Sequence, residues 1–190
     1  MPRYCLLTGA LIATLMGVGQ ACAATVVMPT NALIQYLGRF DRRMPAAPRF
    51  DWPATTIRAR FGGNSIGVIL SNSTDMFRFR AFIDDAPVPD VVCDRRGAHT
   101  YLIQTGLSNT AHILELVKKN EEDRATPTTC FLGLVLDDGA ALLPCTNPSP
   151  RRILCVGASF SAGYGAGYAG APRAASNHTE KLQTDDAWLA

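Results

Sequence analysis

The stretch MFRFRAFID (76–84) alternates with a period of two: Phe77, Phe79, Ala81 and Ile83 fall on one side, Arg78 and Arg80 on the other. Successive side chains of a strand point to opposite faces, so this is a strand with one dry face and one wet face. Outward from it the pattern repeats. TIRARF (56–61) sets Ile57, Ala59 and Phe61 against Arg58 and Arg60, and SIGVILSN (65–72) follows after a Gly62-Gly63 turn. AHTYLIQT (98–105) and CFLGLVLDDGAALLPC (130–145) continue the series. AHILELVKKNEED (111–123) has apolar residues at 113, 114, 116 and 117, which suits either a helix or a strand. A strand is expected, because Leu114 and Leu116 alternate with Glu115 and strands lie on both sides; KKNEEDRATPTT (118–129) then reads as a charged loop. About eight strands separated by turn residues predict a mainly β fold, a jelly-roll-type antiparallel β-sandwich over residues 30–146.

Within the last of these stretches, Asp138-Gly139 is a dipeptide suited to a two-residue hairpin with positive φ. Such a hairpin sets Leu132 opposite Cys145 and Cys130 diagonal to Cys145 on the same face. A Cys130–Cys145 disulfide is therefore expected, the alternative being reduced or differently paired thiols.

The whole chain has 190 residues, 47% of them apolar and 18% charged, with a formal charge of +2. That composition is globular. The first residues combine one base, Arg3, an apolar run from Cys5 to Val18, and Ala21-Cys22-Ala23, which meets the small-x-small rule for signal cleavage. Residues 1–23 are read as a signal peptide, since the run falls short of the ~20 residues that span a bilayer. Its removal takes away Arg3 and no acid, leaving a nearly neutral chain that does not suit nucleic acid or an acidic membrane as main partner. A secreted, extracellular or periplasmic protein is expected, without a membrane partner after signal removal. Cys93, Cys130, Cys145 and Cys155 then remain for an oxidising compartment, where four cysteines allow three full pairings. Paired C-x-x-C spacing is missing, so neither a metal nor another cofactor is expected. Asn72-Ser73-Thr74 and Asn177-His178-Thr179 are glycosylation sequons on paper.

No internal repeat is evident, and TNPSPRR (146–152), with two prolines, marks a boundary. After it RILCVG (152–157) is almost continuously apolar, as in a buried parallel strand, and ends in Gly157-Ala158-Ser159. Ser159 would sit beyond the carboxyl end of that strand, where ligands bind in open α/β sheets. It can serve as a nucleophile if a histidine takes its proton and backbone N–H groups hold the oxyanion; the plainer alternative is an ordinary strand-ending turn. Gly165 to Gly170 fits G-x-G-x-x-G, but the strand ends too early and no apolar helix follows, so a dinucleotide site is not supported. His99, His112 and His178 offer no convincing base for Ser159. Asp137-Asp138 reads as a turn rather than a carboxylate pair. Arg78 and Arg80, beside Phe77 and Phe79, suit either an acidic sugar or a solvated sheet face, the latter being simpler.

The order of these pieces resembles carbohydrate esterase family 2, in which a jelly-roll domain precedes an SGNH (GDSL-like) hydrolase domain. The matching segments are LGRFD (37–41), DWPATTIRARFGG (51–63), FRAFIDD (79–85), CFLGLVLDDGAALL (130–143) and RRILCVGASFSAGYG (151–165). The resemblance implies an extracellular esterase that removes acetyl groups from polysaccharides such as xylan or glucomannan. It places Ser159 at the nucleophile, with its backbone N–H as an oxyanion donor, and residues 151–190 as the first strand and loop of an α/β SGNH hydrolase domain. The family's aspartate before the serine is Ala158 here. Counterparts of the later oxyanion blocks and the catalytic histidine are missing, which leads us to expect a truncated chain with little activity. The partner implied is a polysaccharide or acetylated oligosaccharide. The alternative is a non-catalytic carbohydrate-binding sandwich that uses aromatics such as Trp52 or Tyr101.

Overall fold

The computed structural model describes residues 24–75, 77–120 and 128–146. The expected signal peptide, Cys155, the second sequon and the 151–190 segment with Ser159 lie outside the described residues.

Two antiparallel sheets face each other. One has the order β1 (Thr25–Val27), β10 (Thr129–Leu136), β5 (Ile66–Asn72) and β8 (Gly97–Gln104), with β3 (Arg49–Phe50) also on β10. The other has the order β11 (Leu142–Leu143), β4 (Thr56–Gly63), β9 (Thr110–Lys118), β6 (Phe77–Ile83) and β7 (Ala86–Cys93), with β2 (Gln35–Leu37) on β4. The jelly-roll-type β-sandwich is what the alternation predicted. The strands not singled out in the sequence are β1, β2 and β3, two or three residues long and too short to carry a readable period, and β7, whose alternation Pro87 and Pro89 obscure.

The inner faces are the predicted ones. Ile57, Ala59, Phe61, Phe77, Phe79, Ala81 and Leu114 of one sheet are fully buried, as are Val68, Leu70, Phe131 and Leu134 of the facing sheet. Each large side chain removed from water in this way contributes roughly 1.5–3 kcal/mol. The 111–123 ambiguity resolves as a strand, β9, paired with β4 from Thr56↔Val117 to Gly63↔Thr110.

Connectivity departs from expectation. Among the described strands only β6 and β7 are consecutive partners in one sheet; every other consecutive pair is divided between the two. The Gly62-Gly63 segment is therefore a corner from β4 to β5, not a hairpin. Residues 137–141 likewise carry the chain from β10 to β11 in the other sheet, although Ala140 N–H does donate to the Asp137 carbonyl across a turn (3.1 Å). The expected hairpin does not form, and with it goes the argument for the Cys130–Cys145 disulfide. Cys130 pairs across to Ser71 in one sheet, whereas Cys145 follows β11 of the other, and both are free thiols. Cys93 is free and buried as well, and burial pushes its thiol up to about 11.

Where β1 lies on β10, Gly133 adopts φ +147 at a register shift between Phe131 and Gly133. A Cβ there would stand 2.6 Å from the Val27 carbonyl oxygen, so the close approach of β1 requires glycine.

Two further expectations fail for reasons of burial. Lys118 does not open a solvated loop: its side chain is fully buried, with Nζ 3.8 Å from the centroid of Phe77 and donating to the Asn120 carbonyl. A long side chain can place its ammonium on an aromatic face inside the protein when a carbonyl completes its shell. Asn72 is only 3% exposed, so the first sequon is not a surface acceptor in the folded chain.

Candidate functional site

The sandwich has two ends, and they are built differently. At the end where β4, β6, β9 and β10 meet residues 38–55, two aromatic residues set the geometry. Phe40 and Phe50 pack together at 4.9 Å between ring centroids, and Phe50 also meets Phe79 of the core at 6.0 Å. With those rings turned inward, alternation along the chain places Arg39, Asp41, Arg49 and Asp51 around the opening. The two segments are joined directly: Asp41 N–H donates to Arg49 O (2.8 Å) and Arg49 N–H to Asp41 O (2.9 Å). Pro48 O accepts from Phe131 N–H (3.0 Å), fixing the returning segment on β10.

Trp52 follows. Ala54 N–H donates to Lys118 O and Lys118 N–H to Thr55 O, so the end of β9 holds the 52–55 turn. The indole is 56% exposed, among the largest apolar surfaces on the described molecule, and the Arg39 guanidinium lies 5.5 Å from its centroid. Together Gly38 to Asp41, Arg43, Arg49 to Trp52 and Thr128 line an open cleft of about 670 Å³. An exposed, braced aromatic ring beside hydrogen-bonding side chains is an arrangement that can stack on the apolar face of a sugar and bind its hydroxyl groups.

Electrostatics within the cleft are uneven. Asp41 accepts from Arg43 Nε (2.9 and 3.0 Å) and Nη2 (2.6 Å), and the Arg43 hydrogen bond brings its carboxyl down to about 2. Asp51 faces the buried Lys118 Nζ at 3.9 Å. Arg39 and Arg49 are exposed and have no carboxylate of their own among the described residues.

At the other end the polar groups hold the corners. Asp137 Oδ2 accepts from the backbone N–H groups of Asn64 (2.6 Å) and Ser65 (2.9 Å), and Ser65 Oγ donates to Oδ1. These bonds, the Ser65 hydroxyl first, outweigh burial and hold Asp137 below the usual carboxylate range. Gly63, at φ +120, leaves the carboxylate its space: a Cβ would stand 2.9 Å from Asp137 Oδ2. Asp137 is thus a turn residue, as its sequence context suggested.

Nearby, Ser108, His112 and Asp84 form a hydroxyl–imidazole–carboxylate sequence that superficially matches a hydrolase triad. His112 Nδ1–H donates to Asp84 Oδ2 (2.6 Å), and Nε2 lies 2.9 Å from the Ser108 carbonyl oxygen but 3.3 Å from its hydroxyl. A general base needs Nε2 as an acceptor toward the nucleophile. Here Nε2 faces a carbonyl, which accepts only, so the imidazolium is the form that satisfies both partners. The Asp84 hydrogen bond, followed by the Ser108 carbonyl, raises the His112 pKa accordingly. His112 thus staples the 84–85 turn to the 108–112 segment.

The remaining sequence candidates resolve as follows. Ser159 lies outside the described residues. Tyr101 is not an exposed aromatic: its ring packs against the core and burial pushes its hydroxyl up to about 12. Phe77 and Phe79 are buried and Arg80 pairs with Asp90 (3.3 Å), so the Arg78–Arg80 face is not a sugar site. Among the described residues no three His, Cys, Asp or Glu side chains gather as a metal-binding group. Sequence reasoning named Trp52 but missed Arg39 and Arg49 around it. The signal available was that LGRFD and DWP, two segments of the family resemblance, flank one charged loop.

The architecture is shared with solved carbohydrate esterases of family two. A family two carbohydrate esterase from Cellvibrio japonicus superposes with a TM-score of 0.71 at 18% identity, over 86% of this chain and 47% of that one. One from Clostridium thermocellum, solved in complex with cellohexaose, superposes with a TM-score of 0.62 at 28% identity, over 70% of this chain and 40% of that one. The cellulase/esterase CelE of Acetivibrio thermocellus is 30% identical over 135 residues, 71% of this chain and 16% of that protein. The pattern of the carbohydrate esterase 2 N-terminal region matches residues 36–145, and the chain belongs to that family. The chain therefore spans less than half the length of these relatives, and the cleft lies within the matched region.

Proposed function

We propose that this protein is an exported, acetyl-releasing carbohydrate esterase whose sandwich holds the polysaccharide in the cleft at Trp52. The glycan is of the xylan or glucomannan type. Residues 1–23 are its signal peptide, and residues 151–190 open its SGNH hydrolase part. Ser159 is the nucleophile: its Oγ attacks the acetyl carbonyl, its backbone N–H helps hold the oxyanion, and water then releases acetate from the acyl-serine. The observation that carries the reading is the 28% identity with the cellohexaose-bound esterase, joined to a braced indole exposed in an open cleft.

Neither described histidine is free to activate Ser159. His112 is committed to Asp84 and Ser108, and His99 Nε2 bonds the Arg96 carbonyl (2.9 Å). The 190-residue chain is accordingly expected to bind glycan measurably and to hydrolyse p-nitrophenyl acetate weakly. Calorimetry with cellohexaose, acetylated xylan and acetylated glucomannan tests the first part. Saturable binding that falls at least about tenfold in Trp52→Ala supports it, and no binding to any of the three refutes it. Acetate release tests the second: whatever turnover is seen must vanish in Ser159→Ala. Turnover that survives that substitution removes Ser159 from the mechanism.

A further inference from the structure

We infer that the Trp52 cleft is built for an acidic sugar residue, a uronate, whose carboxylate is taken by Arg39 and Arg49 while its ring lies on the indole. The inference rests on the glycan-binding reading above and adds the charge of the ligand to it.

Charge and geometry carry it. Three guanidinium groups, Arg39, Arg43 and Arg49, share the cleft lining with two carboxylates, Asp41 and Asp51. Both carboxylates already have cations: Asp41 has Arg43 in a two-point contact, and Asp51 has the Lys118 ammonium. Arg39 and Arg49 are left over, both exposed, and the coulombic influence of Arg49 reaches Asp41, so two cations flank one carboxylate. Arg39 is moreover oriented by its contact with Trp52, which reduces what a flexible side chain loses on binding. A neutral glucan or xylan would use the indole and hydroxyl-binding groups and would gain nothing from a second unpaired guanidinium. A uronate joins the two demands in one unit: an apolar ring face for the indole and, at the ring's edge, a planar carboxylate that a guanidinium fork receives through two parallel hydrogen bonds.

The opposite end of the sandwich makes the excess of cations more telling. Asp84 and Asp137 are each saturated by donors from their own corner. What is left over at that end among the described residues is anionic, the exposed Asp85 and Asp138, whereas the guanidinium groups without a carboxylate of their own that share a cleft with an exposed indole are Arg39 and Arg49.

The test is calorimetry of the whole chain at low salt with four probes of defined charge. These are a neutral xylo-oligosaccharide, the same oligosaccharide carrying one glucuronic acid branch, an oligogalacturonate, and inorganic sulfate. One or both uronate ligands are expected to bind about tenfold or more tightly than the neutral oligomer, as one charge-assisted contact allows. The ratio of uronate to neutral affinity, read for each variant against its own binding of the neutral oligomer, should collapse toward one in Arg39→Gln and Arg49→Gln and in 0.5 M salt. The two uronate probes distinguish a xylan side branch from a pectic backbone as the source. Equal affinity for neutral and acidic oligomers overturns the inference and leaves the glycan site standing. Sulfate binding as strong as uronate binding also overturns it, since a bare anion site needs no indole. No binding of any sugar overturns both readings. Both arginines are exposed, so folding of the variants is checked simply by an unchanged urea midpoint.

Discussion

The two ends of the sandwich use the same residue types to opposite purposes. At one end Asp84 and Asp137 each accept backbone and side-chain donors, with His112 and Ser65 completing the sets. At the other, Asp41 is bound to an arginine two residues away whose side chain is 87% exposed, Arg39 lies on an exposed indole, and Arg49 lines the same cleft. A corner where the chain passes between sheets leaves backbone N–H groups without ladder partners, and a carboxylate can satisfy two of them at once. The cleft end has fewer such needs, because backbone pairs such as Asp41 with Arg49 and Lys118 with Thr55 serve there. Arg39 and Arg49 are left there without a carboxylate of their own among the described residues, which is what a binding surface for an anion requires.

The sharpest way to break this contrast is to remove one carboxylate from each end. Asp137→Ala strands the N–H groups of Asn64 and Ser65 at a β4–β5 corner; at the usual cost of unsatisfied groups near a protein interior, it should lower stability by about 2–3 kcal/mol. Asp41→Ala removes a solvated local pair and should leave the urea midpoint where it was. If the two substitutions shift the midpoint equally, the division of labour between the ends is wrong.

Titration probes the same division with a smaller effect. His112 has its folded-state pKa raised above the ordinary histidine value of 6.5, through Asp84 and then the Ser108 carbonyl. The stability it brings is full below that ordinary value and is lost as pH rises through the folded pKa. Asp84 and Asp137 run the other way. Burial pulls Asp84 upward, but its bonds to His112 and Ile113 N–H bring it below its ordinary value, and Asp137 is lowered by Ser65. Their contribution is full above the ordinary carboxylate value and is lost as pH falls through the folded pKa. Urea midpoints from pH 3 to 9 should therefore decline on both flanks. His112→Gln should cost about 1–2 kcal/mol at pH 6 and flatten the alkaline flank while leaving an acid flank through Asp137. An unchanged alkaline flank in that variant would show that the staple is not what titrates.

How much of this was legible in the sequence follows the range of the interactions. Period two along 56–61 and 77–83 is local, and it placed Ile57, Phe61, Phe77 and Phe79 inside correctly. Strand partnership is not local. Asp138-Gly139 makes a turn, but whether the next strand returns to β10 or crosses to β4 depends on which edge is open, and the inferred Cys130–Cys145 contact failed with it. Lys118 was unreadable for a similar reason, since its aromatic partner Phe77 belongs to another strand. Trp52 was named as an exposed aromatic, yet Arg39 and Arg49 joined it only through the packing of Phe40 on Phe50. Asp84, Asp137 and Asp41 cannot be told apart by type: each precedes or follows a turn, and only the donors that surround it decide its role.

The smallest effect distinguishes two neighbours within a single turn. Asp84 and Asp85 both have positive φ, 52° and 64°, at the two-residue link between β6 and β7. Such a turn, with both central residues left-handed, favours glycine at the second position. Asp85 is exposed and has no side-chain hydrogen bond or ion pair among the described residues. Replacing it by glycine removes the left-handed penalty of an L residue and adds some freedom to the unfolded chain, for a net stabilisation of about 0.5 kcal/mol. Asp84→Gly relieves a similar backbone penalty but removes the acceptor for His112 and for Ile113 N–H (2.8 Å), so it should destabilise. Backbone conformation predicts the same sign for both substitutions, and the corner staple predicts opposite signs. Paired urea melts of Asp85→Gly and Asp84→Gly at pH 6 decide between them; a rise in both midpoints would mean that Asp84 is a turn residue and no more.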